Sequence, residues 1–328
     1  MEFTFSINKQ REMEQLLQQI DVSVIIVNYN SFHLLDKCLD SFYKFCNGTN
    51  NEVIVVDNGS TEGDIRSVTD KYPNLILIKN NTNIGFAAAN NKGLLKAKGK
   101  YSLILNNDTI FTEDSVKRVF DFAETYSEQL FVGIQLRNID GTKQESIVMF
   151  PSIWNGFTEN FFLYKLFPKS KIFNKYYQNY IDFSTPVEVD VIRGAFMFCK
   201  TEALKKLNGF DERFYFYSEE TDLCKRLKKI GGKVIFFPST SIIHYGGATA
   251  DSNLWFKYKN QTIGKIQYYQ KHFSGFAFFL LIIIHWLGLF LRFVLYSIGG
   301  ILTLNKKLVL KGYYFLRQIF VYPKNKFV

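Results

Sequence analysis

Residues Tyr101–Ile110, which read YSLILNNDTI, decide the interpretation of this chain of 328 residues. Their first half is a short apolar run that predicts a buried parallel strand. Open α/β sheets bind ligands beyond the carboxyl ends of their strands, so Asn106, Asn107 and Asp108 are expected at a ligand crevice. Their oxygens suit a hard cation that bridges the phosphates of a nucleotide. Alternatively, they only turn the chain and cap the helix expected near Glu113.

The surrounding sequence alternates apolar runs with helical stretches, which predicts an α/β fold with a mainly parallel sheet covered by helices. Strands are expected at Val22–Val27, Val53–Val56, Leu75–Ile78, Tyr101–Leu105, Leu130–Leu136, Val187–Ile192, Ala195–Cys199, Val234–Phe237 and Ser241–His244. Helices are expected at 33–46, 61–72, 86–98, 112–126 and 219–230. No Gly-x-Gly-x-x-Gly or P-loop motif follows the first strand, which argues against a dinucleotide dehydrogenase and a P-loop NTPase.

The positive charge is concentrated at the end of the chain. The net charge is +10, but eleven of the 40 Lys and Arg residues follow Asp251, where no Asp or Glu occurs. Residues 1–251 are therefore nearly neutral and lack the basic surface that a nucleic-acid-binding domain needs. The four cysteines have no Cys-x-x-Cys spacing, so neither a zinc site nor a disulfide framework is expected. A reduced, cytosolic compartment follows from this composition.

These patterns divide the chain into three parts. Residues 1–20 are expected to be an N-terminal extension with a short polar helix, and 21–250 the main domain. Within that domain, 137–186 is an aromatic-rich insertion without periodicity; it either covers a groove for an acceptor or forms a peripheral hydrophobic cluster. Residues 251–328 are a basic, hydrophobic region expected to associate with a membrane.

Five polar segments fall where strands end or helices begin. They are VIIVNYN (24–30), VVDNGS (55–60), NNTNIGFA (80–87), NND (106–108) and YSEETDL (217–223). In this order they resemble the family 2 glycosyltransferases of GT-A fold, most closely the rhamnosyltransferase-like branch of bacterial surface-polysaccharide synthesis. The resemblance covers roughly residues 21–250. Each segment alone is weak, and the ordered set is specific.

The resemblance implies a site for a nucleotide-sugar donor. Asp57 is expected to accept a hydrogen bond from the uracil or thymine ring, with Asn28 and Asn30 near the base and ribose. Asn83 and Gly85, with Asn90 behind them, resemble the loop and helix start that pack against the nucleotide, where unpaired N–H groups favour anions.

The resemblance also implies a divalent metal ion, Mg or Mn. Asp108 and the late histidine His244 are the expected metal ligands. Asn106 occupies the place of the first carboxylate in the family's Asp-x-Asp motif, so the site is one formal negative charge short, and Asn106 is assigned to donor binding.

The acidic pair Glu219–Glu220 matches the pair that supplies the general base. By that alignment Glu220 removes the proton of the acceptor hydroxyl. Consecutive helical positions point about 100° apart, so the two carboxylates cannot do the same job. Glu219 is expected to contact the acceptor, Asp222 to support the site or cap the helix, and Arg193 to shape the donor or acceptor pocket. The alternative is acidic charge stabilised at a helix N-terminus.

The C-terminal apolar stretch, Phe276–Gly300, is interrupted only by His285 and Arg292. As a helix it reaches roughly 37 Å, enough to cross a bilayer core of about 30 Å. A single span would place the cations that follow it on the side opposite the catalytic domain, against the positive-inside tendency. We therefore expect interfacial attachment to an anionic membrane surface. A hairpin in which Leu308–Tyr322 returns, and a buried helix or oligomer contact, are the alternatives.

Together these features imply an inverting glycosyltransferase at the cytoplasmic face of the inner membrane. It would move a sugar, rhamnose for example, from a nucleoside-diphosphate donor to a lipid-linked oligosaccharide acceptor, and would bind no nucleic acid. The alternative is a non-catalytic sugar-nucleotide-binding partner in a polysaccharide-synthesis complex. Metal-dependent release of nucleoside diphosphate distinguishes the two.

Overall fold

The computed structural model describes residues 19–178, 181–246 and 253–323 of the chain. The polar helix expected within residues 1–20 therefore lies outside the described residues, apart from Gln19 and Ile20, which are not helical.

A mixed sheet forms the centre of the domain. The strands are β1 Val22–Asn28, β2 Asn51–Asp57, β3 Ile76–Lys79, β4 Tyr101–Asn106, β5 Thr109–Ile110, β6 Leu130–Arg137, β7 Ile147–Val148, β8 Val187–Glu188, β9 Val191–Ile192, β10 Phe196–Lys200 and β11 Lys233–His244. The main sheet has the order β3-β2-β1-β4-β10-β6-β11-β5, with β8 also paired to β11. Strands β3, β2, β1 and β4 are parallel neighbours, as are β6 and β11, whereas β10, β5 and β8 pair antiparallel. The expected mainly parallel sheet is confirmed.

The register of the parallel strands brings their polar ends together. Asn28 lies opposite Asp57, and Val27 lies opposite Asn106 on the other neighbouring strand. The apolar side chains of these strands are buried on both faces in two large clusters, so the strand ends are held firmly. The predicted juxtaposition of strand ends is thus present.

Two strand predictions need correction. The segment Val187–Ile192 is not one strand: Asp190 accepts the backbone N–H of Phe150 at 2.9 Å, and the chain crosses from the main sheet to the small β7–β9 sheet at this point. Conversely, the two strands expected at 234–237 and 241–244 are a single strand, β11, with an irregularity between Phe237 and Ser241. Pro238 lies there and has no N–H for the ladder, which explains the shift.

Helices cover the sheet and continue beyond it. They are α1 Phe32–Phe45, α2 Arg66–Thr69, α3 Phe86–Leu94, α4 Ser115–Glu124, α5 Ile153–Asn160, α6 Leu163–Leu166, α7 Thr201–Lys206, α8 Glu219–Lys229, α9 Leu254–His272, α10 Gly275–Leu302 and α11 Lys306–Ile319. The helix predicted at 61–72 is only the four residues of α2, because Gly63 has a φ of +71° before it and Pro73 follows.

The insertion packs against the C-terminal helices. Helix α5 touches α10 so closely that a Cβ at Gly288 would lie 2.4 Å from the side chain of Asn160. Arg292 of α10 donates to the backbone oxygens of Glu159 and Asn160, both at 3.0 Å, where α5 ends. These carbonyls have no partner within their own helix, so the guanidinium caps α5.

The C-terminal helices α10 and α11 form a hairpin. A Cβ at Gly312 would lie 2.5 Å from the Ser297 hydroxyl, so the two helices approach closely there. The Thr262 hydroxyl of α9 donates to Gln318 Oε1 of α11 at 2.9 Å, which ties the hairpin to α9. The segment Leu308–Tyr322, which the alternative hairpin prediction makes the returning half, is helical as far as Ile319.

Candidate functional site

A chain of neutral side chains, which we call the amide cluster (Asn28, Asn58, Asn80, Asn83 and Asn107), lines the carboxyl edge of the sheet. Asn107 donates to Asn28 Oδ1 at 2.8 Å, and the backbone oxygen of Asn28 accepts the N–H of Asn58 at 2.8 Å. Asn58 donates to Asn83 Oδ1 and accepts from Asn80 Nδ2, each at 3.0 Å. The cluster joins the carboxyl ends of the four neighbouring strands β1 to β4.

The residues expected at the base and ribose meet in a turn beside this cluster. Asp57 is buried and accepts the Ser60 hydroxyl at 2.6 Å. Asn30 has a φ of +48°, and its Oδ1 accepts the backbone N–H groups of Thr61 and Glu62. The side chains of Asp57 and Asn30 thus converge on one turn at residues 60–62.

The loop before α3 needs glycine at position 85. Gly85 has a φ of +91°, and a Cβ there would lie 2.7 Å from the backbone oxygen of Tyr215. Its N–H donates to Asn83 Oδ1 at 3.0 Å, and the next N–H, of Phe86, donates to that Tyr215 oxygen at 2.9 Å. Asn90, on the first turns of α3, has its Oδ1 buried without a hydrogen-bond partner among the described residues. The predicted loop therefore contacts the segment that precedes α8.

Asp108 and His244 lie close together just beyond the carboxyl end of β4. Asp108 Oδ1 lies 3.3 Å from His244 Nε2, and Asn106 Nδ2 lies 3.3 Å from the same nitrogen. On the other side of the ring, Nδ1 lies 2.6 Å from Gln144 Oε1. Gln144 Nε2 donates to Asn138 Oδ1 and to the His244 backbone oxygen, so its Oε1 faces the ring and Nδ1 carries the proton.

This geometry fits a divalent cation between Asp108 and His244. With the proton on Nδ1 alone, His244 Nε2 has a lone pair, and this nitrogen and the Asp108 carboxylate could then bind one cation together. Carboxylate oxygen and imidazole nitrogen are both ligands that manganese accepts, so this pair could supply two of its ligands. Within the described ranges no group of three His, Cys, Asp or Glu could hold an ion, so further ligands would come from elsewhere.

Glu220 lies on the opposite side of the start of β10. The backbone oxygen of Ala195 accepts the N–H of Asn106 at 3.1 Å, and a Cβ at Gly194 would lie 3.9 Å from Glu220 Cβ. Arg193 pairs with Glu145, and its Nη1 lies 3.9 Å from Glu220 Oε1. Burial lowers the pKa of Arg193, an effect that Glu220 opposes. The segment 193–195 therefore lies next to both Glu220 and the end of β4.

The other two carboxylates of α8 have opposite environments. Glu219 is buried, and its Oε2 has no hydrogen-bond partner among the residues that the structure describes. Burial, followed by the Glu220 charge, raises the pKa of Glu219 well above its ordinary value. Burial also raises the pKa of Asp222, but the hydrogen bond from His272 and the charges of Arg226 and Lys271 outweigh it and lower the net value. Burial thus favours the neutral acid at Glu219, whereas its ionic partners favour the carboxylate at Asp222.

Sequence reasoning missed residues that orient the predicted ones. Gln144 sets the tautomer of His244 but lies in the aperiodic insertion, where no local pattern points to it. Lys271 and His272 contact Asp222 from about fifty residues further along the chain. Only Asn58 carried a signal, because it directly follows the strand that ends in Asp57.

Comparison with known proteins identifies the family. Residues 23–207, more than half of the chain, match glycosyl transferase family 2. Residues 175–246 match the N-terminal domain of galactosyltransferase. The chain therefore belongs to glycosyl transferase family 2.

The relatives in sequence are modest in identity. An N-acetylglucosaminyl-diphospho-decaprenol L-rhamnosyltransferase of Mycobacterium tuberculosis is 26% identical over 206 residues, which is 59% of this chain and 66% of the relative, just under two thirds of its length. The rhamnosyltransferase WbbL of Escherichia coli is 25% identical over 68% of this chain and 83% of the relative. The predicted resemblance to the rhamnosyltransferase-like branch is confirmed by these relatives.

A solved structure has the same fold. The mannosyltransferase PcManGT of Pyrobaculum calidifontis, in complex with GDP-Man and Mn²⁺, has a TM-score of 0.54 at 18% identity and covers 92% of this chain and 86% of that chain. At this identity the likeness concerns the fold alone, and it confirms the predicted GT-A fold.

Proposed function

We propose that this protein is an inverting, metal-dependent glycosyltransferase that moves a sugar from a nucleoside-diphosphate donor to a lipid-linked glycan acceptor. One observation carries the proposal: Asp108 Oδ1 and His244 Nε2 lie 3.3 Å apart at a strand end beside Asn28 and Asp57. Rhamnose is the sugar favoured by the names of the relatives from M. tuberculosis and E. coli. The first of those names also motivates the lipid-diphosphate acceptor.

In this proposal the donor lies along the carboxyl edge of the sheet. Asp57 accepts a hydrogen bond from the base, and Asn28 and Asn30 lie near the base and ribose. Asn83 and Gly85 border the diphosphate at the start of α3, where the positive end of the helix dipole favours anions. Asn106, the last residue of β4, contacts the donor.

Asp108 and His244 would hold the divalent metal ion in this site. When bound, the ion neutralises the negative charge that develops on the leaving diphosphate. His244 is kept in the required tautomer by Gln144, since the proton on Nδ1 leaves Nε2 free as a ligand. Manganese and magnesium both suit a site completed by phosphate oxygens.

Glu220 acts as the general base. It takes the proton of the acceptor hydroxyl while that oxygen forms a bond to the anomeric carbon. The bond between the anomeric carbon and the phosphate oxygen breaks, its electron pair leaves with the diphosphate, and the single displacement inverts the anomeric centre. Arg193 shapes the pocket beside Glu220, Glu219 borders the acceptor, and Asp222 supports α8.

We further propose that the α10–α11 hairpin lies in the membrane interface at the cytoplasmic face. The described residues include one helix, α10, long and apolar enough to cross a bilayer. Its exposed large apolar side chains lie on one side of the helix: Phe276, Phe279, Trp286, Leu287, Phe290, Leu295, Ile298, Ile301 and Leu302. Exposed Lys306 and Lys307 follow directly, which suits anionic lipid headgroups.

The inner face of α10 supports interfacial attachment over spanning. Arg292 in its second half caps α5, and the nearby pair Lys265–Glu159 joins α9 to α5 at 2.9 Å. A perpendicular span would carry these charges and the end of α5 into the hydrocarbon core, at a cost of several kcal/mol. Lying in the interface avoids that cost.

Donor binding tests the active-site part of the proposal. Purified protein is heated with UDP-, GDP- and dTDP-sugars, with and without Mn²⁺. One nucleotide should raise the melting temperature, and Mn²⁺ should increase that shift in wild type but not in Asp108→Asn. A panel without any nucleotide-dependent shift would refute the proposed donor site.

Vesicle sedimentation tests the membrane part. Each cation near an anionic surface adds about 1 kcal/mol, so the double variant Lys306→Gln with Lys307→Gln should bind phosphatidylglycerol vesicles up to about 30-fold more weakly. The matched control is Lys96→Gln with Lys98→Gln. These are exposed cations just before β4, at the amino end of that strand. Equal binding by both variants would refute the assigned surface.

A further inference from the structure

The segment that leads into α8 is strained and is held from two sides. Tyr217 and Ser218 have φ angles of +74° and +73°, and such non-glycine residues cost on the order of 1 kcal/mol or more each. A conformation of this kind persists only where neighbours impose it. The residue that follows them, Glu219, is the first of α8, and Glu220 is the second.

On one side, the donor loop holds this segment. The backbone oxygen of Tyr215 accepts the N–H of Phe86, and Gly85 leaves no space for a side chain against it. The segment therefore cannot shift toward the donor site without losing that contact.

On the other side, α9 holds the same segment. A Cβ at Gly264 would lie 2.3 Å from the backbone oxygen of Tyr217, so the helix backbone packs directly on the strained residue. One turn further, Gln267 donates to the backbone oxygen of Arg213 at 2.9 Å. Helix α9 thus packs against the segment that leads into α8.

The end of α9 also grips the first turn of α8 through buried charge. Asp222 has no solvent exposure, and its Oδ1 accepts Lys271 Nζ at 2.6 Å and His272 Nε2 at 2.8 Å. Lys271 reaches Asp211 as well, at 2.7 Å, and so joins the beginning of the strained segment to the helix that follows it. The second ring nitrogen of His272 has no partner among the described residues, so the hydrogen bond to Asp222 is the one its ring makes there.

We propose that Lys271 and His272 are positioning residues, which fix Glu220 through Asp222 and make α9 the element that sets the catalytic geometry. The inference rests on the role of Glu220 proposed above. Only Phe273 and Ser274 separate α9 from α10. The membrane-facing α10–α11 hairpin is therefore connected to α8, the helix that carries Glu220, through the end of α9 and its contact with Asp222. Neither residue touches a reacting atom in this scheme.

Two variants of His272 and one control test the proposal. His272→Ala removes the hydrogen bond to Asp222, and His272→Gln can restore a donor. The control, Thr262→Val, also removes a buried hydrogen bond of α9, but one that leads to Gln318 of α11. The measurements are kcat and the donor KM in the presence of Mn²⁺, and hydrogen exchange of residues 214–223.

His272→Ala should lower kcat about ten- to a hundredfold with the donor KM within about twofold, because a base displaced by about 1 Å loses that much. Exchange of 214–223 should accelerate in His272→Ala, return toward wild type in His272→Gln, and stay unchanged in Thr262→Val. If His272→Ala does not fold, Lys271→Met replaces it with the same expectations.

Unchanged exchange and kcat in His272→Ala, or equal losses in Thr262→Val, would overturn the positioning role. The exchange comparison does not need turnover. If wild type released no nucleoside diphosphate, the proposed function would fail while the exchange result would still decide whether α9 holds the segment.

Discussion

The two sides of the crevice are built from different chemistry. The donor side is held by the neutral amide cluster, whose members lie at the ends of adjacent strands. The side that carries Glu220 is held by what we call the ionic cluster, in which Asp211 and Asp222 contact Arg213, Arg226, Lys271 and His272. Amides keep their shape at any pH, whereas a buried ion cluster depends on every partner and on protonation.

The largest effect should follow from breaking the ionic cluster. Asp222→Ala removes the counter-charge of Arg226 and leaves Lys271 paired with Asp211 alone, which should cost about 3–5 kcal/mol in the free energy of unfolding. Chemical denaturation measures this loss. Asp222→Asn, which keeps the shape and an acceptor, should lose less. A cost below about 1 kcal/mol for the alanine variant would contradict the assigned importance of the cluster.

An intermediate effect is expected on the donor side. Asn58→Ala removes contacts to Asn80, Asn83, Ile84 and Gly85, so its cost should be about 1–3 kcal/mol and should not change between pH 5 and pH 8.

The matched control for Asn58→Ala is Asn47→Ala, which removes one exposed hydrogen bond to Lys44 and should change stability by less than about 0.5 kcal/mol. Similar losses in Asn47→Ala and Asn58→Ala would show that the amide cluster does not hold the loops.

The smallest expected effect is the loss of the stabilisation by Asp211 at acidic pH. Burial raises the pKa of Asp211, but hydrogen bonds from Arg213 and Lys271 outweigh it and hold the net pKa below its ordinary value. A carboxylate with a lowered folded pKa stabilises the protein above the unfolded value of about 3.9, and this stabilisation is lost as the pH falls toward the folded value.

Wild type should therefore exceed Asp211→Asn in stability by on the order of 1 kcal/mol at pH 7, with the difference shrinking below about pH 4. Urea denaturation at a series of pH values measures it. A difference that persists undiminished at pH 3 would contradict the account.

The same contrast explains what the sequence could predict. Asn28, Asp57 and Asn106 directly follow apolar runs, so the predicted strands were enough to place them at one edge of the sheet. In the ionic cluster, Lys271 and His272 follow Asp222 by about fifty positions, and their contact with it depends on how α9 packs, which no local pattern encodes.

The errors in strand prediction have the same origin. The break at Asp190 depends on a contact with Phe150, and the fusion of two predicted strands into β11 depends on pairing with β6 across Pro238. The short length of α2 could have been predicted, because Gly63 precedes it and Pro73 follows it. Local signals thus fixed the element types well, and tertiary contacts decided their boundaries.

Release of nucleoside diphosphate by Glu220→Gln tests the central claim most directly. Wild type and the variant are each incubated with Mn²⁺, a short-chain lipid-diphosphate sugar acceptor and the nucleotide sugar that gives the largest thermal shift. We predict that the variant keeps the donor-induced shift but loses about 10²- to 10⁴-fold in turnover, the share that a positioned base contributes. Wild-type turnover by Glu220→Gln would contradict the account.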